Sequence, residues 1–271
     1  MHGGRSTLLS AGLLVLWLSP TAAQARCKLS NVRAHDGTFT LGGMCDELSL
    51  FGEHIGDKGA VALAQALAKD NRLRLLDLWS NDIGPEGAVA LAQALKTNTK
   101  LDKLYLNENH VGVEGVAALV KAIGSTSSVL TSLWLSRNQL GDEGAQALAS
   151  GLSNNQARRL QALDLWENGI GPVGGGALAM ALRTNNALLT LELRGNTMGD
   201  EGARAFADLM PRSRVLSTLD LSQNGISPSG SARLMQGLKE STSRPYLLLF
   251  VEHVPHMQAT SWEQQGHPNA P

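Results

Sequence analysis

Four aromatic side chains and five charged ones recur at matched places in this sequence, and their chemistry suits the binding of a protein. Trp79, Tyr105, Trp134 and Trp166 each lie beside a leucine in a run of alternating apolar residues. Tryptophan and tyrosine dominate binding hot spots because they bury large areas and still form hydrogen bonds. The charged residues at equivalent places are Asp77, Asp164, Glu192, Arg194 and Asp220. This set predicts a recognition surface.

Catalytic and metal-binding patterns were sought in the same way. The motifs H-E-x-x-H, G-x-S-x-G and the P-loop do not occur in the sequence. The glycine-rich stretch 169–176 is in register with the other repeat turns, and His253 and His256 form an isolated pair near the C-terminus. We therefore predict no enzyme activity, no cofactor, no metal and no small-molecule substrate.

An asparagine recurs after each pair of leucines with a period of 28 to 30 residues, which is the sign of a repeat protein. The asparagines are Asn81, Asn109, Asn138, Asn168, Asn196 and Asn224. Leu48 and Leu50 begin an earlier copy of the pattern, and Leu247 and Leu249 end it. The sequence thus predicts about seven strand-and-helix units and a terminal strand.

One unit, 73–100, shows what each half of the repeat forms. Its leucines alternate with other residues, as in a strand with one buried face. Its second half carries Ala88, Leu91, Ala92 and Leu95 at i, i+3, i+4 and i+7, the apolar stripe of a helix. No unit can cover its own leucines, so the units must stack into a solenoid. We expect each repeat asparagine to be buried and to bond the turn backbone between units.

The leucine and asparagine pattern is followed by I-G-x-x-G-A-x-A-L-A, and together they closely resemble the ribonuclease-inhibitor subclass of leucine-rich repeats. The resemblance covers residues 48–251. It implies an α/β solenoid, a curved horseshoe with a parallel sheet inside and helices outside, that binds proteins on its concave sheet. Ser227 departs from the pattern, since it replaces the first glycine of the last unit.

The aromatic residues are predicted to form a patch on that concave sheet. Trp79, Tyr105, Trp134 and Trp166 fall on four successive strands, which span about 15 Å at the usual strand spacing. Either they bind a partner, or they only pack against one another and brace the sheet. The acids that surround them favour a ligand with a basic rim.

The N-terminal residues 1–25 resemble a signal peptide, with Arg5, an apolar run over 8–18 and an A-x-A site before Arg26. The apolar run is too short to span a bilayer, so no stable membrane anchor is expected, although an uncleaved anchor is the alternative. The sequence predicts a secreted or extracytoplasmic protein.

The cysteines and the chain ends complete the predicted organisation. Cys27 and Cys45 are expected to form a disulfide in an N-terminal cap, 26–47, in which Thr38–Leu41 is a possible strand. The repeat domain spans 48–251, and 252–271 is predicted to be a flexible tail with Trp262 as a candidate plug. The formal charge of −1 does not favour nucleic acid as a partner.

Three functions are compatible with these patterns. The first is a secreted module, expected to be a monomer, that binds an unidentified protein through the aromatic and acidic sheet surface. The second is an intracellular regulator of an enzyme, because Ran GTPase-activating proteins and NOD-like receptors use similar repeats. The third is a purely structural scaffold.

Overall fold

One parallel sheet runs through the part of the chain that the computed structural model describes, namely residues 26–32, 38–41, 45–70, 72–153, 157–240 and 247–252. These residues belong to one compact unit, Gln24–His253. The signal-like segment 1–25, the turn at 36–37, Trp262 and most of the tail lie outside the described residues.

Nine strands and eight helices are found in the described residues. The strands are β1 (Arg26–Cys27), β2 (Glu47–Ser49), β3 (Leu75–Asp77), β4 (Lys103–Tyr105), β5 (Ser132–Trp134), β6 (Ala162–Asp164), β7 (Thr190–Glu192), β8 (Thr218–Asp220) and β9 (Leu248–Phe250). The helices are α1 (Leu29–Val32), α2 (Gly56–Leu67), α3 (Pro85–Leu95), α4 (Gly112–Ile123), α5 (Gly141–Ser153), α6 (Pro172–Leu182), α7 (Gly199–Leu209) and α8 (Pro228–Glu240).

The strands follow one another in chain order, and each pairs in parallel with the next. The central leucine of each strand from β2 to β8 lies opposite its counterpart in the next strand, as Leu76 lies opposite Leu104. These leucines are at most 1 % exposed, whereas their neighbours on the strands are mostly accessible. The predicted α/β repeat solenoid is confirmed.

The second glycine of the G-x-x-G pattern lets neighbouring helices approach closely. A Cβ atom on Gly115 would lie 2.7 Å from the Cβ of Ala88 on the preceding helix. At Gly174 the corresponding distance to Ala145 is 2.8 Å. Real Cβ atoms do not approach so closely, so any larger residue would push the two helices apart.

Aspartates at the start of some helices cap the start of the next helix. Asp57 accepts hydrogen bonds from the backbone N–H of Gly84 at 2.7 Å and of Gly87 at 2.8 Å. These donors belong to the first turn of α3, where Gly84 has no side chain to supply a cap. Asp142 serves α6 in the same way, and Asp200 accepts one bond from the backbone N–H of Ser227 at the start of α8. This role was not predicted from the sequence, although each G-D-x-G turn precedes a unit whose helix begins with proline.

The repeat asparagines form a buried ladder between units. The Nδ2 of Asn109 donates to the carbonyl oxygen of Leu78 at 2.9 Å and to that of Leu106 at 3.0 Å, one in each of two units. Its Oδ1 accepts from the N–H of Asn81 and of Ile83. All six asparagines are at most 3 % exposed, and each bonds the backbone of the preceding unit.

A second ladder, which the sequence analysis did not find, closes the other end of the helices. The Nδ2 of Asn98 donates to the carbonyl oxygen of Leu67 in the preceding unit, and its Oδ1 accepts from the N–H of Leu101. Asn185 bonds Leu152 and Leu188 in the same pattern. Its sequence signal is an asparagine three residues before the first leucine of the next unit.

The N-terminal cap closes the first unit. Cys27 and Cys45 form a disulfide, and β1 extends the sheet by pairing in parallel with β2, a strand that the sequence did not predict. Under the cap, Leu48 and Leu50 are fully buried. The possible strand 38–41 is not formed, since Phe39 makes only an isolated bridge.

The last unit ends the sheet at β9. Its helix α8 begins at Pro228. Leu248 on β9 is 60 % exposed, and Leu249, at a position buried in the inner units, remains partly accessible. Among the described residues, therefore, the C-terminal end of the sheet is less covered than the N-terminal end.

Candidate functional site

The candidate site is the sheet face, the side of the sheet that the helices do not cover. It is formed by the residues between the paired leucines of each unit and by the two residues that follow each pair. They are Ser49, Phe51, Gly52, Asp77, Trp79, Ser80, Tyr105, Asn107, Glu108, Trp134, Ser136, Arg137, Asp164, Trp166, Glu167, Glu192, Arg194, Gly195, Asp220, Ser222 and Gln223.

The aromatic side chains form two contacting pairs instead of one continuous row. Tyr105 and Trp134 stack with their ring centroids 4.0 Å apart and their planes 15° apart. Trp79 meets Phe51 edge to face at 5.7 Å. Phe51 was not among the predicted site residues, yet it is 59 % exposed and extends the patch towards the N-terminal cap.

Trp166 lies apart from these pairs, between two arginines. The guanidinium carbon of Arg137 is 4.6 Å from the centre of the Trp166 ring, and that of Arg194 is 5.9 Å away. Both distances are those of cation–π contacts. Arg137 also bonds Glu108 at 2.6 Å and Glu167 at 2.7 Å. Trp166 is therefore braced by charged neighbours.

Three of the predicted site aspartates have a structural role in the strand turns. Asp77, Asp164 and Asp220 each accept a hydrogen bond from the N–H two residues later, at 3.2, 2.9 and 2.8 Å. Such local bonds are typical of aspartate in turns. Asp220 is only 4 % exposed, which corrects its placement as an accessible contact residue.

Three carboxyl groups lie side by side on the C-terminal half of the sheet face. Asp164 is opposite Glu192 in the register of β6 and β7, and Glu192 is opposite Asp220 in that of β7 and β8. Burial, with Asp220 and Asp164 beside it, raises the pKa of Glu192 to about 8. Burial raises the pKa of Asp164 to about 6, although hydrogen bonds from the Trp166 N–H and from Ser136 oppose the change.

Several polar atoms of the sheet face are buried without a hydrogen bond. Asn107 and Ser136 belong to the sheet face by position, but they are only 2 % and 1 % exposed. The Oδ1 of Asn107 and the indole nitrogens of Trp79 and Trp166 have no partner among the described residues. Burial also raises the pKa of Tyr105 to about 12, with a smaller contribution from Asp77.

The described part of the chain also bears on metal binding and on membrane insertion. No group of three or more histidines, cysteines or acids there is arranged to hold a metal ion. No helix within it is long and apolar enough to cross a membrane.

The family model for the leucine-rich repeat matches six segments of the chain. They are residues 71–92, 97–120, 126–149, 157–179, 184–207 and 212–234, and together they cover just over half of the sequence. The chain belongs to the leucine-rich repeat family. Leucine-rich repeats are protein-interaction modules, so the family supports protein binding as the general role of this chain.

Two solved structures are similar to this leucine-rich repeat protein. Leiomodin-1 actin-binding site 2 is 22 % identical, with a TM-score of 0.42, over 46 % of this chain and 72 % of that one. A Bacteroides fragilis protein is 15 % identical, with a TM-score of 0.42, over 76 % of this chain and 69 % of that one. No curated protein matches the sequence. Because both TM-scores are below 0.5, neither likeness bears on function.

Proposed function

We propose that this leucine-rich repeat protein is a secreted protein-binding module that recognises its partner through the sheet face. The observation that carries the proposal is an aromatic patch, exposed at Phe51 and partly accessible elsewhere, on the side of the sheet that the described helices leave uncovered. Phe51, at 59 % exposure, contacts Trp79, and the next two strands bring the Tyr105 and Trp134 stack. Exposed aromatics grouped in this way mark interaction sites in soluble proteins.

The ring contacts also support the sheet, so bracing and binding act together. Stacking of Tyr105 on Trp134 fixes both side chains before a partner arrives, and fixed aromatic anchors lose little conformational entropy on binding. Pure bracing does not explain Phe51, because most of that side chain remains in water. A partner that covers Phe51 would remove this apolar surface from water.

The sheet-face proposal is tested by replacing Trp79, Tyr105, Trp134 and Trp166 with alanine. The matched control is Val173→Ser with Met180→Ser, because these residues are 58 % and 69 % exposed on α6, away from the sheet face. Proteins bound from the native compartment are compared by quantitative mass spectrometry, after melting curves show that each variant folds. The proposal expects partners that the wild type and the control retain and the aromatic variant loses.

One result would contradict the sheet-face proposal. If every protein captured by the wild type is also captured by the folded aromatic variant, the sheet face is not the binding surface. A single variant, Phe51→Ser, provides a second measurement in case the fourfold variant does not fold. Its exposed side chain adds little to stability, so weakened capture would report binding.

Secretion is the other part of the proposal, and it is supported by the disulfide and by the signal-like sequence. A disulfide of this kind persists in oxidising compartments and is rare in the cytosol. The test is the intact mass of the protein from its native source, with and without reduction. A chain that begins at Arg26 and is two hydrogens lighter before reduction is expected. An uncut chain with free thiols would instead favour the intracellular regulator.

A further inference from the structure

We propose that the sheet face contains a subsite for one basic side chain, arginine or lysine, of the partner protein. The subsite is defined by the ring of Trp134 and the carboxyl groups of Asp164 and Glu192. This inference rests on the proposed function, because it assigns the chemistry that one part of the sheet face recognises.

The Tyr105 stack occupies only one of the two faces of the Trp134 ring. Tyr105 lies on β4 and stacks on one face of Trp134 with nearly parallel planes. The other face is therefore directed towards β6, where Asp164 is the register partner of Trp134. Trp134 keeps part of its surface accessible. An aromatic face beside a carboxylate is the arrangement that attracts a guanidinium or ammonium group.

The two carboxyl groups complete the subsite from the next strands. Asp164 is held in place by the N–H of Trp166 at 2.9 Å, so its position does not depend on a ligand. Glu192 has a longer side chain, and no hydrogen bond or ion pair to it is found among the described residues. Arg194 follows on the same strand, but its guanidinium lies over Trp166 and its Nε donates to Gln223 at 3.1 Å. Charge complementarity thus favours a cation from outside the chain.

Unsatisfied polar atoms also lie on the same sheet face, on the strands that precede Trp134. Asn107 is 2 % exposed, and its Oδ1 has no partner among the described residues. It lies two residues after Tyr105, next to the stacked pair, and the indole nitrogen of Trp79 beside it is also unpartnered. Buried polar atoms without partners are costly, so the sheet face around the subsite suits a partner that brings polar groups.

Protonation of the carboxyl groups makes the binding of a basic side chain depend on pH. Binding of a neutral side chain would not show this dependence. The groups around Glu192 are Asp164 on β6, Asp220 on β8 and Arg194 on its own strand, with Arg137 and Glu167 beyond Trp166. The raised pKa of Glu192 keeps its carboxyl group largely protonated in the free protein at neutral pH. A bound cation would favour the ionised carboxylate, so binding would release a proton and strengthen with rising pH.

The test uses three short peptides of defined chemistry as probes. N-acetylated, amidated Ala-Arg-Ala and Ala-Lys-Ala are titrated into the full chain and compared with the neutral Ala-Gln-Ala. Binding is followed by NMR through the indole N–H signals of Trp79, Trp134 and Trp166, assigned by single substitutions. We expect the two basic peptides to shift the Trp134 signal most, with affinity that rises between pH 6 and pH 9.

Conservative variants decide whether the carboxyl groups are responsible. The double variant Asp164→Asn with Glu192→Gln should weaken binding of the basic peptides by about tenfold or more and abolish its pH dependence. Glu192→Gln alone serves as the second variant if the double variant does not fold. The matched control is Glu114→Gln, an exposed acid on α4 that is expected to leave the affinity unchanged.

Two results would overturn the subsite. One is equal binding of the neutral and basic peptides, and the other is unchanged binding in the folded Glu192→Gln variant. If either occurs while the aromatic variant still loses its protein partners, only the subsite is wrong. If the aromatic variant also keeps its partners, the proposed function fails with it.

Discussion

The carboxylate of Asp142, at the start of α5, accepts a hydrogen bond of 2.7 Å from the backbone N–H of Gly171, at the start of α6. A second bond of 2.8 Å comes from the N–H of Gly174. One side chain therefore satisfies two donors of the next helix and brings a negative charge to its positive end. Stacking of these two units is coupled to helix capping, because the start of α6 takes its cap from α5.

Removing this inter-unit cap should destabilise the protein. We expect Asp142→Ala to lower the free energy of unfolding by about 0.5–2 kcal/mol, since two N–H groups lose their acceptor. The control is Glu143→Ala, which removes an exposed acid from the same turn. Urea unfolding measures both variants. Equal stability of Asp142→Ala and the control would show that water replaces the cap.

Loss of a repeat asparagine should have a larger effect. Asn138 is 1 % exposed, and its Nδ2 donates to carbonyl oxygens of Leu106, Leu135 and Ser136. We expect Asn138→Ala to cost about 1–3 kcal/mol, because buried backbone groups lose their partner. In a urea melt, the exposed control Gln93→Ala on α3 should change stability by less than about 0.5 kcal/mol. A similarly small change for Asn138→Ala would show that the hydrogen bonds of the asparagine ladder do not stabilise the fold.

Stability should fall as the pH rises through the range in which Glu192 titrates. Its pKa is about 8 in the folded protein, against an ordinary value of 4.5. Between these two pKa values the folded state retains a proton that the unfolded chain has lost. The resulting loss of folding stability is absent below pH 4.5 and complete above about pH 8. Glu192→Gln should therefore stabilise the protein at pH 8 by on the order of 1–3 kcal/mol and have little effect at pH 4.

Thermal unfolding across this pH range measures the effect. Glu114→Gln is the matched control, and its pH profile should follow that of the wild type. If Glu192→Gln also follows the wild type at every pH, the Glu192 carboxyl group ionises in the folded state as easily as in the unfolded chain.

The stack of Tyr105 on Trp134 should give a measurable coupling energy between these two residues in the free energy of unfolding. A double-mutant cycle in which each residue is changed to alanine should give about 0.5–1.5 kcal/mol, the value of an aromatic pair beyond its buried area. The comparison cycle pairs Tyr105 with Trp166, which lies between the two arginines and should show coupling below about 0.5 kcal/mol. Equal coupling in the two cycles would mean that the ring contact is not specific.

The disulfide should matter to the whole solenoid, because it holds the cap over the first unit. Cys27 and Cys45 are separated by 18 residues, and closing a loop of this length stabilises a protein by about 2–4 kcal/mol. The double variant Cys27→Ser with Cys45→Ser should lose that amount in urea unfolding. Hydrogen exchange of the backbone amides around Leu48 and Leu50 should also become faster. An unchanged unfolding midpoint would indicate that packing alone retains the cap.

The sequence predicted the repeat architecture because the signals for it are local. The alternation of leucines defined each strand, the stripe from Ala88 to Leu95 defined the helix, and the register placed Tyr105 and Trp134 on neighbouring strands. The second asparagine ladder and the inter-unit aspartate caps were also present as spacings. They were missed because each joins a residue to backbone about 30 residues away, which no pattern within one unit reveals.

What the sequence determined by itself is the fold and the set of side chains on the sheet face, because period and alternation fix which way each residue points. Only the tertiary structure decided how those side chains meet. It grouped Phe51 with Trp79, placed Trp166 between two arginines and buried Asp220 and Asn107. These outcomes depend on the rotamers and volumes of neighbours on adjacent strands, and one strand's sequence does not encode what the next strand presents to it.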